Sequence, residues 1–251
     1  MKIKLTIAYN GAAYCGWQAQ SNAVSVQSTL TRVVSETYKR PCLVTGSSRT
    51  DSGVHARAYV CTVESADGSD VSSVIPISAI PRAINSRLAD DIAVVSAELV
   101  PDDFHARYSV RSKTYEYVFY DSDVRSPFMS GLAYSVPPIT DEALSKMDAC
   151  ARKMCGTHDF ASFMSTGSKI KDTVRTVYDC KVFRRNDTVV FSVSADGFLY
   201  NMVRIMAGTV YAAAFGRISP DDIDEIIAAR DRKRAGQTLP PHGLYLCRVE
   251  Y

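Results

Sequence analysis

Apolar and polar residues alternate along Lys-Ile-Lys-Leu-Thr-Ile-Ala-Tyr (2–9), the two-residue period of a strand with one buried face. From Ser25 the period changes. Val26, Leu30, Val33, Val34 and Tyr38 recur near helical spacing, and Ser25 stands where an N-cap would accept a free helical amide. Residues 42–45 and 57–64 read as strands on either side of a polar segment, 80–88 as a short helix and 92–100 as a further strand. A second series resumes with a strand at 112–120, where β-branched and aromatic residues dominate, and a helix near 141–154. Strands at 173–184 and 188–195, helices at 199–214 and 220–230, and a closing strand at 243–250 complete it. The two series share element order but no sequence repeat. The pattern predicts an α+β fold of two similar sheet-and-helix halves, 1–105 and 106–251, with a cleft between them as the natural place for a site. The boundary is no Pro/Gly/Ser spacer, because it carries Val-Pro-Asp-Asp-Phe-His-Ala-Arg-Tyr (100–108).

With 46% hydrophobic residues, the 251-residue chain can bury a core of ordinary size. Its opening apolar run is too short for a signal peptide, and no stretch approaches the roughly 20 apolar residues of a membrane span. A soluble, cytoplasmic protein with no membrane partner is expected. The cysteines at 15, 42, 61, 150, 155, 180 and 247 are odd in number and form no Cys-x-x-Cys, so reduced structural thiols are expected. His55, His105, His158 and His242 include no pair at the spacing that puts two ligands on one helical face, and no metal is assigned.

The formal charge of +2 neither favours nor opposes a nucleic-acid partner. Its distribution says more. Residues 1–105 hold nine basic and ten acidic side chains, 106–217 hold fifteen and eleven, and 218–251 hold five and six. The basic excess falls in the segment that also carries the aromatic-rich stretch 115–120. That combination suits phosphates and unstacked bases, though a solvated surface would have the same composition.

The segment Gly-Ser-Ser-Arg-Thr-Asp-Ser-Gly-Val-His-Ala (46–56) is unusual between two strands, combining small residues with an arginine, an acid and a histidine. Gly46, Ser47, Ser48 and Gly53 permit tight turns and close approach of a ligand backbone. Spacing alone allows Asp51 to be an ordinary turn residue as readily as a reactive one.

Five spaced segments carry a resemblance. Tyr-Asn-Gly-Ala-Ala-Tyr-Cys-Gly-Trp-Gln-Ala-Gln (9–20), followed by Ser-Val-Gln (25–27), resembles the amino-terminal motif of the tRNA pseudouridine synthase A family. Arg49-Thr-Asp51-x-Gly53-Val-His-Ala56 resembles its catalytic motif. Val100-Pro-Asp-Asp-Phe-His-Ala-Arg107, with Lys113-Thr-Tyr115-Glu-Tyr117 beyond it, resembles the segment that joins its halves. Phe198-Leu-Tyr-Asn-Met-Val-Arg204 resembles its carboxy-terminal helix and Pro241-His-Gly-Leu-Tyr-Leu246 its final strand. Asn10, Ser48 and Ser52 depart from the usual Asp, Gly and Ala without removing a group the chemistry needs.

The resemblance implies a pseudouridine synthase fold, two halves joined in one extended mixed or antiparallel sheet around a catalytic cleft. It implies isomerisation of uridine to pseudouridine at positions 38, 39 and 40 of the tRNA anticodon stem-loop, without cofactor or metal, by a homodimer. Asp51 matches the family's reactive carboxylate, which attacks C1′, attacks C6 of the base or removes a ribose proton; the sequence leaves all three routes open. A buried carboxylate stays ionised only with a cation beside it. Arg204 matches the family's partner for it, and a charge among Met202, Val203, Ile205 and Met206 calls for one. Tyr115 matches the tyrosine that stacks on the target base, with help in moving the C5 proton as a second role that the resemblance allows. With Tyr117, Phe119 and Lys113 on the same strand face, that face is expected not to be wholly buried. Arg49 matches the arginine that fills the gap left by the flipped nucleotide, or else contacts a phosphate. His55 is expected to make a structural hydrogen bond. A non-catalytic tRNA-binding protein and a synthase with another RNA target are the competing possibilities.

Overall fold

A computed structural model of the chain describes residues 1–71, 73–168 and 170–251. They form two compact units, one of Met1–Arg111 with Tyr245–Tyr251 and one of Ser112–Leu244. The division falls after Arg111 rather than at the expected 105/106, and it places the last strand, which pairs with residues 55 and 56, in the first unit.

In the first unit β1 (Lys2–Tyr9) is flanked by antiparallel β3 (His55–Ser65) and β4 (Ile92–Val100). The expected alternation holds along β1, every second side chain being buried. β2 (Cys42–Gly46) pairs antiparallel with residues 61–65 of β3, and β10 (Leu244–Glu250) pairs in parallel with the start of β3 through Tyr245 opposite His55. β3 is therefore longer than the strand expected at 57–64, and β2 covers only its far end. The chain between Gly46 and His55 belongs to no strand and forms the loop that carries Asp51.

α1 (Val26–Tyr38) buries the five apolar side chains that predicted it, and Ser25 caps it in a reciprocal box with Ser28. Such a cap is worth about 1 kcal/mol. α2 (Ile80–Asn85) is one turn shorter than expected; Asn85 turns outward from the helix to hold both the amide and the carbonyl of Val94.

In the second unit β5 (Ser112–Asp121), β9 (Thr188–Ala195), β8 (Val174–Arg185) and β7 (Gly156–Asp159) are antiparallel neighbours, and β6 (Tyr134–Val136) runs parallel to β5. β6 and β7 escape the sequence pattern because three or four residues are too few to establish a period. Arg185 of β8 grips Glu116 of β5 with two nitrogens, at 2.6 and 2.8 Å. α3 (Asp141–Lys153), α4 (Met202–Ala213) and α5 (Pro220–Ala229) complete the unit. α4 begins three residues later than expected, since Asn201 takes a left-handed conformation with φ of 60°. Nine of its twelve residues are buried, so it is a core helix rather than an amphipathic surface one. The α+β class expected from the sequence is borne out in both units.

Gly208 of α4 marks the tightest contact of that core. A Cβ there would lie 1.9 Å from the Gln237 carbonyl oxygen, and one at Gly236 would lie 2.5 Å from the Thr209 amide nitrogen. An alanine in mid-helix ordinarily stabilises by roughly 0.5–1 kcal/mol. Here overpacking outweighs that gain, at about 1–3 kcal/mol. Gly208→Ala is expected to lower the midpoint of urea unfolding, and an unchanged or raised midpoint would contradict the contact.

Candidate active site

The loop 47–54 is held by a segment that lies far from it in sequence. Trp17 N–H donates to Thr50 O (3.1 Å), Gly53 N–H donates to Tyr14 O (3.3 Å), and Ser52 Oγ donates to the same Tyr14 carbonyl (3.2 Å). Two glycines allow this approach. A Cβ on Gly11 would fall 2.0 Å from Val54 O, and one on Gly16 would fall 2.5 Å from Thr50 O, where φ is also +93°. The Gly-x-x-x-x-Gly-Trp spacing of residues 11–17 thus has a physical meaning: backbone meets backbone where any side chain would intrude.

Beneath the loop lies an aromatic stack. Trp17 and Tyr59 rings are 4.0 Å apart and nearly parallel, and Tyr9 leans on Tyr59 at 5.8 Å. The Tyr59 hydroxyl donates to Ser48 O and accepts from Ser48 N–H at 3.3 Å, closing the start of the loop. The Tyr9 hydroxyl meets Thr50 Oγ1 at 2.8 Å, one residue before Asp51. Asp51 itself is half-buried, and its carbonyl accepts the Val54 amide in the turn that follows. Sequence reasoning assigned no role to Trp17, Tyr59 or Tyr9. Their signal was the aromatic residues Tyr9 and Tyr59 on strand positions and the Gly-Trp pair at 16–17.

His55 is buried, accepts the Gly11 amide on Nδ1 at 3.0 Å and stacks on Tyr245 at 4.7 Å. It thereby ties together the amino-terminal segment, the end of the loop and the last strand. The accepting Nδ1 carries no proton. Arg49 is exposed at the front of the loop.

Arg204 and Tyr115 lie in the second unit. Arg204 is the third residue of α4, half-exposed; its Nε donates to Leu239 O and its Nη1 to Asn201 Oδ1, both at 2.7 Å. Asn201 is itself held through Nδ2 to Ser165 Oγ at 2.9 Å. These bonds lock the guanidinium plane, and Asn201 is a positioning residue that its motif alone did not reveal. The positive charge is felt nearby. Burial first and then Arg204 hold the His242 imidazole below its ordinary pKa, whereas burial raises the Tyr117 phenol and Arg204 only partly opposes that.

Tyr115 sits on β5 opposite Val193, and its ring meets Phe198 edge-on at 5.1 Å. The strand face it shares is more buried than expected: Tyr117 and Phe119 are fully enclosed, Tyr117 donating to Pro240 O at 2.8 Å, and Tyr115 is only 6% exposed. Lys113 is half-buried at the end of that face, so it did not report on the middle. Phe198, Asn201 and Arg204 come from one stretch of chain. That stretch brings Tyr115 and Arg204 into one neighbourhood.

A model of the tRNA pseudouridine synthase family matches residues 5–109 and 150–251. The chain belongs to this family. The tRNA pseudouridine synthase A of Clostridium acetobutylicum is 39% identical over 249 residues, 99% of this chain and 99% of its own. That of Ruminiclostridium cellulolyticum is 41% identical over 251 residues, 100% of this chain and 99% of its own, and that of Acetivibrio thermocellus is 41% identical over 249 residues, 99% of each. The family and the isomerase class expected from the motifs are borne out. As a pseudouridine synthase, the chain keeps Asp51, Arg49, His55 and Arg204 inside the matched segments. Tyr115 falls between them, in a stretch that the full-length relatives span.

The anchoring of the loop predicts a specific cost. Tyr59→Phe keeps the stack on Trp17 but leaves the Ser48 carbonyl and amide without the hydroxyl, a loss of about 1–3 kcal/mol. Hydrogen exchange of the 48–54 amides is expected to accelerate more than that of β1. Equal protection in variant and parent would show that the hydroxyl does not hold the loop.

Proposed function

We propose that the chain isomerises uridine to pseudouridine at positions 38, 39 and 40 of the tRNA anticodon stem-loop. The observation that carries this is the intact Arg49-Thr50-Asp51 loop within a full-length match to enzymes named tRNA pseudouridine synthase A. The bond from ribose C1′ to N1 breaks, the uracil turns, and C1′ bonds to C5. C5 then loses its proton, and N1 takes one up. No electrons leave or enter, so the reaction asks for a carboxylate, a stacking surface and exclusion of water.

Asp51 is the reacting carboxylate. Arg204 is its partner: an arginine whose plane is already fixed by Leu239 and Asn201 loses little entropy in gripping a carboxylate, and its charge offsets the desolvation that would otherwise protonate the acid. Tyr115 offers its ring to the flipped base, supported edge-on by Phe198. Arg49, exposed beside the loop, enters the space the base vacates or holds a phosphate. No cofactor has a step to perform. Among the described residues no helix is long and apolar enough to cross a membrane, and a cytoplasmic homodimer is the assembly we infer, since two copies offer RNA a wider basic surface than one chain of net charge +2.

Purified protein incubated with unmodified tRNA is expected to form pseudouridine at 38–40, mapped by chemical labelling and primer extension because the isomers have equal mass. Asp51→Asn is expected to abolish product while tRNA still binds. Product formed by that variant would exclude the carboxylate mechanism, and wild-type protein that binds tRNA without converting it would identify a non-catalytic binder. Log affinity for tRNA is expected to fall linearly with log salt, by about 0.7–0.9 for each phosphate neutralised; a flat response would contradict phosphate-led recognition.

A further inference from the structure

Arg49 lines an open groove of about 230 Å³, formed wholly within the first unit. One wall is Trp17, Gln18 and Gln27, and the other is His105, Arg107 and Tyr108. The second wall comes from the segment 100–108, whose composition was too specific for a spacer and which the reaction itself leaves unused.

Both walls are built rather than draped. Gln27 Oε1 accepts from Gln18 Nε2 and from the Ala19 amide, each at 2.9 Å, while its Nε2 donates to Val44 O at 2.8 Å. The Gln18 amide is thus oriented. Gly46 keeps the floor low, for a Cβ there would lie 2.5 Å from the Trp17 ring. Opposite, His105 Nδ1 accepts the amides of Arg107 (3.1 Å) and Tyr108 (3.2 Å), and Ser109 N–H donates to His105 O at 3.0 Å. This tight turn holds the Tyr108 ring 77% exposed, 4.4 Å from the His105 ring and with the Arg107 guanidinium 5.7 Å away.

The lining has one chemical character. It holds two arginines, aromatic faces and side-chain amides, and among the described residues that line it there is no Asp or Glu. Cations that meet a phosphate, rings that meet a base and amides that meet a base edge describe a nucleotide better than a peptide. The volume is below the roughly 300–1,000 Å³ of pockets that enclose whole drug-sized ligands, so it suits one base open to its backbone. Arg49 and Asp51 are two residues apart, at most about 7 Å along the chain. A uridine whose ribose reaches Asp51 therefore has its neighbour in the strand beside this groove.

Given the isomerisation proposed above, we infer that the groove receives the nucleotide adjacent to the target uridine, its base stacked on Tyr108 and its phosphates held by Arg107 and Arg49. Holding the neighbour stabilises the strand with the uridine extruded. It does so without reading a particular base, because every base has a π-face.

The test uses full-length protein and two anticodon stem-loop RNAs, each with 2-aminopurine on one side of the target uridine. Wild-type protein is expected to quench emission at one of the two neighbours. Tyr108→Ala is expected to restore that emission and weaken RNA binding roughly 5- to 150-fold, the range for loss of one stacked base. Tyr108→Phe is expected to behave as wild type, and Arg107→Ala to flatten the log affinity against log salt slope by about 0.7–1. Because Tyr108 is largely exposed, its removal leaves the melting temperature in place. Unchanged emission at both neighbours and unchanged affinity in Tyr108→Ala would overturn the groove. Pseudouridine formation by the wild type is measured on the same RNA without 2-aminopurine, so failure of the isomerase assignment is read separately from failure of the groove.

Discussion

The loop bearing Asp51 depends on the close approach of two backbones. Residues 47–54 have no ladder partner over most of their length, because β2 ends at Gly46 while β3 begins only at His55. The Thr50 carbonyl and the Gly53 amide bond instead to residues 14–17, which come this close because Gly11 and Gly16 carry no side chain; the Ser47 amide bonds to Val60 O, Ser48 to the Tyr59 hydroxyl and the Val54 amide to Asp51 O. A polar loop without those bonds would leave backbone groups that cost about 1–3 kcal/mol each when buried. The aromatic stack of Trp17, Tyr59 and Tyr9 then fixes the height of the loop above the sheet, and two of its hydroxyls bond to the loop itself.

The second unit solves a different problem, which is to hold a cation at the start of a nearly buried helix. α4 tolerates Arg204 because its charge is spread over fixed acceptors, the Leu239 carbonyl and the Asn201 amide oxygen. The stretch 236–243 that supplies Leu239 is pressed against α4 where Gly208 and Gly236 allow contact. It also supplies Pro240 to Tyr117 and His242 to the surroundings of Arg204. Packing of a chain segment with little regular structure thus sets the orientation of the charge. Preorganisation of this kind matters more for an electrostatic role than the strength of any single bond.

Arginine is suited to both of the environments it occupies here. At Arg204 its weakly hydrated, planar head tolerates partial burial, whereas at Arg49 and Arg107 it stays in water beside aromatic rings. Lysine would fill neither position equally, since it has no plane to lock and is more strongly hydrated. The low net charge of the chain is consistent with this economy: a few placed cations, rather than an overall basic field, face the groove and the helix.

Strand and helix periods along the sequence determined the α+β class, almost every long element and the N-cap of α1, because each rests on local spacing and on burial of a continuous face. The spaced motifs determined the family and singled out Asp51, Arg49, Tyr115, Arg204 and a structural His55. Tertiary structure alone decided the rest. That Gly11 and Gly16 serve the Asp51 loop, that Leu239 helps to aim Arg204, that the face of Tyr115 is almost closed, and that His105–Tyr108 line one groove with Trp17 and Gln18 all depend on residues far apart in the chain. The closing strand, assigned from its order to the second half, pairs with β3 for the same reason. Periodicity reports which face of an element is buried, but not which distant segment buries it.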